Sequence, residues 1–274
     1  MAWLKKNIQV QSLEQRRDRR TMNFLTTAFN IILYQPLLNI LVLLYLYLPG
    51  HDFGIAIIIL TVLIKFLFYP LGRQSIKSQK ALSELQPKMK EIQEKYKQDK
   101  ERQTKEIMAL YKREKISPFS GCLPILIQLP VLIALYRVFW NGLQPEQMNL
   151  LYNFVQNPGI INANFLGLVD LSRAVSFVTE QGERTYLWGN IVLIFIVGIT
   201  QFIQVKMIGP RKSKKQGANF SDQMQKQMQY FMPAFMVLIL LRLPSALALY
   251  FLTSTLFTII QQYVILKHNP NITN

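Results

Sequence analysis

Lys65 stands inside an otherwise apolar run, Phe53–Leu71, that reads FGIAIIILTVLIKFLFYPL and is long enough to cross a bilayer. A cation at that depth is costly, and such residues usually serve a function. The groups in the apolar runs that could work with it are all neutral. They are Thr61 in the same run, Gln128 in the second, Thr200, Gln201 and Gln204 in the third, and Thr253, Ser254, Thr255, Thr258, Gln261 and Gln262 in the fifth. No Asp or Glu lies in any of these runs. A proton-coupled transporter relays through intramembrane carboxylates, so their absence counts against that class. Converging on one side, the amides and hydroxyls would line a wet cavity in which Lys65 stays charged at low cost. Scattered, the hydroxyls would bond to backbone carbonyls or between helices. Lys65 has a second reading too: only about 8 Å of helix separates it from Pro70, so it could snorkel to the interface.

The elements that must position these residues are apolar blocks with charge between them. Half the residues are hydrophobic, and the candidate spans are Phe53–Leu71, Gly121–Trp140, Leu187–Met207, Tyr230–Leu241 and Ser245–Leu266. That pattern predicts an all-α polytopic membrane protein, not a β-barrel with its short alternating strands. Asn23–Leu48 is also apolar but interrupted by Gln35-Pro36, and it reads either as a sixth span or as a helix on the outer face. Residues 73–117 carry thirteen Lys/Arg and seven acids. Apolar residues recur there at three- and four-residue intervals (Ile76, Leu82, Leu85, Met89, Ile92, Tyr96, then Ile107, Leu110, Tyr111), which predicts two amphipathic helices with a turn near Gln98–Glu101. Pro87 is expected to kink the first arm or restart it. The hairpin is either a solvated spacer or a mobile arm for a client or a ribosome.

The boundaries that follow are a basic tail (1–22), an apolar helix (23–49), a first core span (50–72), the hairpin (73–117), core spans two to five (118–266) and a short tail (267–274). Within the core, 141–186 is an outer segment with one or two short interfacial helices, and 206–226 is a flexible basic loop. The fourth span has only twelve apolar residues, about 18 Å of helix, so it must start earlier, in DQMQKQMQ, or thin the bilayer.

A net charge of +16 could suggest nucleic acid, but the excess lies in 1–22, the hairpin, 206–226 and the tail. The positive-inside rule then puts the hairpin, the 206–226 loop and the C-terminus in the cytoplasm, with His51 and Asp52 outside. Arg137 and Arg242 read as interface anchors. One cysteine, Cys122, excludes an internal disulfide framework, two histidines leave no histidine metal cluster, and no Walker-type loop is present. No cofactor is expected, nor a cleavable signal peptide or a lipid-attachment cysteine.

Several motifs in order carry a resemblance. Phe68-Tyr69-Pro70-Leu71 follows the intramembrane cation, and Leu85-Gln86-Pro87-Lys88-Met89 lies in the hairpin. The strongest match runs from Pro118-Phe119-Ser120-Gly121-Cys122-Leu123-Pro124 to Gln128-Leu129-Pro130, with Ala134-Leu135-Tyr136. Phe231-Met232-Pro233, Leu243-Pro244-Ser245-Ala246, Leu249-Tyr250 and Thr258-Ile259-Ile260-Gln261-Gln262 complete it. From Tyr34 to Leu266 the sequence resembles the YidC/Oxa/Alb membrane protein insertases, in a minimal form without a large outer domain.

The resemblance implies five core helices around a hydrophilic groove open to cytoplasm and lipid. It places Lys65 as the groove cation where relatives usually have arginine, which keeps the charge but loses the planar fork. It makes Gln128, Gln201 and Thr253, Ser254 and Thr255 groove-lining candidates, to which Thr61 adds itself by position. The last span lacks the asparagine often found near Thr255, and Arg242–Ala246 departs from the usual aromatic residue and Pro-Ser-Gly turn. The implied activity is non-enzymatic: insertion and folding of nascent membrane proteins, alone or with the Sec translocon, with ribosome contact through the cytoplasmic loops. A channel or scramblase-like protein using the same groove is the alternative, and an assembly chaperone indifferent to the charge of Lys65 is a third class.

Overall fold

The computed structural model describes residues 24–117, 123–140, 144–178, 184–209 and 220–268. The basic tail and Asn23, residues 269–274, the Pro118–Cys122 part of the motif and residues 210–219 of the 206–226 loop lie outside the described residues. The protein is an all-α membrane protein. Its helices are α1 (Phe24–Tyr47), α2 (Phe53–Leu67), α3 (Tyr69–Lys95), α4 (Lys100–Arg113), α5 (Leu123–Trp140), α6 (Trp188–Ile208), α7 (Phe220–Leu240) and α8 (Ser245–His268). Among the described residues α1, α6 and α8 are long and apolar enough to cross a membrane singly, and the bent α2–α3 pair adds a fourth span. The apolar parts of α5 and α7, Gln128–Trp140 and Tyr230–Leu240, are shorter.

α2, α6 and α8 pack side by side, with α7 on α6 and α5 between α1 and α8. Gly198 lets α6 approach α7 closely: a Cβ there would stand 2.8 Å from Val237 Cγ2. Leu38, Ala56, Ile57, Ala134, Leu135, Val138, Val197, Leu247 and Tyr250 are core residues with almost no exposure. Large apolar residues such as Phe195, Phe235 and Leu238 face outward. In water such a surface would cause aggregation, but in a bilayer it faces lipid.

The first core span ends earlier than its apolar run suggests. α2 stops at Leu67, and the backbone turns by 71° at Phe68 into α3. Pro70 sits in the first turn of α3, where its missing N–H costs nothing, so the break falls just before it. Pro87 neither restarts nor ends the arm: α3 continues through it for 27 residues. The helix there loses one backbone bond and keeps its packing, with Ile76 and Leu85 buried on α3 and Leu110 on α4. The turn covers Tyr96–Asp99, and Asp99 caps α4 by accepting from the Arg102 N–H at 2.9 Å. Lys88 bonds Glu114 across the hairpin at 2.7 Å, and the Gln103 amide donates to the Gln93 carbonyl at 3.0 Å.

α7 begins at Phe220, two residues before the Gln-rich stretch, so the helix that carries the short fourth span has 21 residues. The described parts of the 206–226 loop are largely helical too, because α6 runs on to Ile208. The outer segment differs more from expectation. Among its described residues it has one 3-10 turn, Pro145–Leu150, and two antiparallel β-hairpins where a second helix is the alternative. These are β1 (Asn164–Phe165) with β2 (Val169–Asp170), and β3 (Ser176–Val178) with β4 (Arg184–Tyr186). Gly167, at φ +69°, makes the first hairpin turn possible.

These hairpins close the end of the bundle away from the α3–α4 arm. Asp52 Oδ1 accepts from the Gly54 and Ile55 N–H groups at 2.7 and 3.1 Å, capping α2, while its Oδ2 accepts from Leu166 N–H at 3.2 Å. Asn190 accepts from Asp170 N–H and donates to the carbonyls of Asp170 and Arg173. The carbonyls of Arg173 and Leu171 accept from Ser245 and Ala246 N–H, satisfying the first turn of α8. A Cβ on Gly54 would overlap the Phe165 ring, and one on Gly189 would overlap the Leu168 carbonyl.

α1 is tied to the same end over much of its length. Tyr34 donates to Gln147, Gln35 and Asn39 donate to the Leu150 carbonyl, Asn39 accepts from Tyr152 N–H, and Tyr45 accepts from Asn162 N–H. The Arg137 guanidinium donates to Asn30 at 2.9 Å and lies over the Tyr34 ring. Asn30–Tyr34 form a π-helical turn beside this contact.

Candidate functional site

A cavity of about 340 Å³ opens between α2, α3, α5, α6 and α8. Lys65 enters it from the last turn of α2, half-buried, with Nζ 3.4 Å from Thr258 Oγ1. The rest of the polar wall is amide and hydroxyl: Gln128 from α5, Gln201 and Gln204 from α6, and Ser254, Thr255, Thr258, Gln261 and Gln262 from α8. Among the described residues no carboxylate lines the cavity. The apolar part of the wall includes Ile64, Phe68, Leu129, Leu132, Met236 from α7 and Phe251.

Helical phase explains which polar residues arrive. Thr255, Thr258 and Gln262 on α8 lie three and four residues apart and share one face, as do Gln201 and Gln204 on α6. Of the residues singled out from the sequence, Lys65, Gln128, Gln201, Ser254 and Thr255 line the cavity. Thr61 and Thr253 do not. Both are buried and return their hydroxyls to their own helices, Thr61 to the Ile57 carbonyl at 2.6 Å and Thr253 to Leu249 at 2.9 Å. Thr200 and Thr258 also bond backwards, to Ile196 and Ser254. The sequence reading missed the contribution of α3, where Gly72, Ser75 and Gln79 complete the cavity. Their spacing, small or polar residues three and four apart at the start of an amphipathic helix, was the available signal.

Gln261 joins the cavity to the arm. Its Nε2 donates to the Tyr69 carbonyl at 3.1 Å, immediately after the bend. Gly72 leaves room for it: a Cβ there would stand 3.1 Å from the Gln261 amide. Gln262 next to it has no exposure and no partner for either amide atom among the described residues. Among the described residues no cluster of His, Cys, Asp or Glu could hold a metal ion. The site therefore offers one cation, several peptide-like amides and an apolar wall.

Comparison with known proteins agrees with this architecture. The family model of the 60Kd inner membrane protein matches residues 43–272. A protein of Syntrophobacter fumaroxidans is 36% identical over 237 residues, covering 85% of this chain and 38% of its own length. One of Geobacter metallireducens is 37% identical over 236 residues, 86% of this chain and 37% of its own. A Fusobacterium nucleatum protein is 36% identical over 217 residues, 79% of this chain and 87% of its own. All three carry the name membrane protein insertase YidC. The chain thus spans under two-fifths of the first two relatives but matches most of the third. From the motifs, the helical core and these matches together, the chain belongs to the 60Kd inner membrane protein family, the YidC/Oxa group of membrane proteins.

Proposed function

We propose that the protein is a membrane protein insertase that receives a client's polar tail in the cavity and releases its apolar segment into lipid. The observation that carries this is Lys65, held among amides and hydroxyls 3.4 Å from Thr258 with no carboxylate on the cavity wall among the described residues. Moving a polar tail through hydrocarbon is opposed by its desolvation, and a wet recess partway through the bilayer shortens the dry distance. A fixed cation attracts the acidic residues of that tail, and apolar partitioning of the client span supplies the driving force, so no nucleotide is needed.

In this reading the basic arm and the C-terminus are cytoplasmic, the β-hairpin end faces outward, and α1 lies along that outer face. Its bonds to residues 147–162, spread from Tyr34 to Tyr45, support an interfacial rather than a spanning helix. The α3–α4 arm, charged and mounted beside the cavity, receives the client first and is the surface for a ribosome or the Sec translocon.

Complementation of an insertase-depleted bacterium tests the proposal. Wild type and Lys65→Arg are expected to restore insertion of a short client with an acidic tail, and Lys65→Ala to fail at equal membrane level. Full rescue by Lys65→Ala removes the cation from the mechanism. Failure of well-expressed wild type, with lipid or ion flux through purified protein in the absence of a client, favours a channel or scramblase instead.

A further inference from the structure

Gln262 and Gln128 carry unsatisfied chemistry that a cation-centred mechanism does not use. Both atoms of the Gln262 amide and Nε2 of Gln128 are shielded and without a partner among the described residues, and both residues line the cavity. The other buried unpaired side-chain atoms among the described residues belong to Ser83, Gln86, Ser245 and Tyr250, which do not line it. Buried amides left unpaired destabilise the state that contains them, so entry of a matching group is favoured.

The match is a peptide group. A primary amide has two N–H donors and a carbonyl acceptor, the same chemistry as a backbone carbonyl and N–H. Thr258 marks where the Lys65 ammonium sits, and Gln262 lies one turn further along the same helix face, about 6 Å away. An extended peptide spans that distance in about two residues at 3.3 Å each. A client carboxylate at Lys65 therefore brings a peptide group of the same strand to Gln262.

We infer that Gln262, with Gln128 from α5, forms a peptide-amide site that holds the backbone of an extended client tail, including tails that carry no carboxylate. This rests on the insertase reading and extends it from acidic tails to tails of neutral composition. Backbone pairing is indifferent to side-chain identity, which suits a site that must serve many sequences.

The test uses the full-length protein in proteoliposomes and single-span clients differing only in the tail: Asp-containing, Gly/Ser or Pro/Ser. Proline supplies no N–H. Gln262→Leu is expected to lower insertion of the Gly/Ser tail about fivefold, the scale of one or two hydrogen bonds, and the Pro/Ser tail less, because that tail keeps its carbonyls but offers only the serine N–H groups. Gln128→Met shifts the same tail in the same direction and decides the matter if Gln262→Leu does not assemble. Lys65→Met is expected to reduce the Asp tail alone. The inference is overturned if the glutamine variants insert the Gly/Ser tail like wild type, which would mean the amides bind only water. A parallel fall of the Gly/Ser and Pro/Ser tails also overturns it, since that marks a packing role. Failure of wild type with the Asp tail sinks the insertase reading itself, whereas success there with glutamine-insensitive Gly/Ser insertion sinks only the peptide site.

Discussion

The two ends of the bundle are built on opposite terms. At the β-hairpin end, Asp52 and Asn190 each serve two elements at once, and α8 begins on carbonyls lent by residues 171 and 173. Glycines at 54 and 189 remove the side chains that would hold the hairpins off. At the arm end, the cavity keeps unpaired amides on Gln128 and Gln262, and the arm shows charged, largely exposed surface. The contrast separates a closed structural end from a receptive one. Strength is concentrated where nothing needs to move, and unsatisfied capacity is left where a partner could enter.

Breaking the closed end should give the largest effect. Gly189→Val drives a branched side chain into the Leu168 carbonyl, which is backbone and cannot swing aside, and should cost about 3 kcal/mol. Thermal unfolding in detergent would show it as a large loss. Asn190→Ala comes next: it strands the Asp170 N–H, removes a donor from the Asp170 carbonyl, leaves the Arg173 carbonyl with the Ser245 N–H alone, and should cost about 2 kcal/mol in the same assay.

At the receptive end the expected changes concern position more than stability. Gln261→Leu removes the bond to the Tyr69 carbonyl, worth about 1 kcal/mol, and should broaden spin-label distances between the arm and α8 while leaving unfolding almost unaltered. An unchanged distance distribution would show that the bend is held elsewhere.

The smallest effect is electrostatic. The Lys88 ammonium, bonded at 2.7 Å, holds the Glu114 carboxyl below its ordinary value of 4.5. A lowered carboxyl stabilises the hairpin fully above that value and loses its contribution as pH falls through the lowered one. The pair is solvent-exposed, so Lys88→Met should return Glu114 to the ordinary range by NMR titration with little change in hairpin stability at neutral pH.

Much of this was legible in the residues, for reasons that differ by element. Apolar length located α6 and α8, three- and four-residue periodicity located the arm, and the shortage of apolar residues before Leu241 pointed to an earlier start of α7, which falls at Phe220, just ahead of the Gln-rich stretch. The β-hairpins of the outer segment were not legible, because strands of two or three residues leave no alternating pattern to read. Pro87 does not restart the arm, because its local penalty is smaller than the packing of a long helix. Thr61 and Thr253 have the same chemistry as Thr258, but only helical phase against neighbouring helices decides which hydroxyl meets Lys65. The placement of α1 could not be read at all: its bonds run to residues more than a hundred positions away.

The 71° turn at Phe68 has a mechanical consequence. α3 is a straight-through helix of 27 residues, about 40 Å long at 1.5 Å per residue, so a rotation of about 10° at its base sweeps its tip through about 7 Å. That displacement exceeds the spacing between adjacent strands or helical turns, yet it asks for only a few degrees at two or three backbone torsions. Any rotation at this joint would therefore act as a lever with its fulcrum beside the cavity: a large excursion of the tip would correspond to a small adjustment near Lys65.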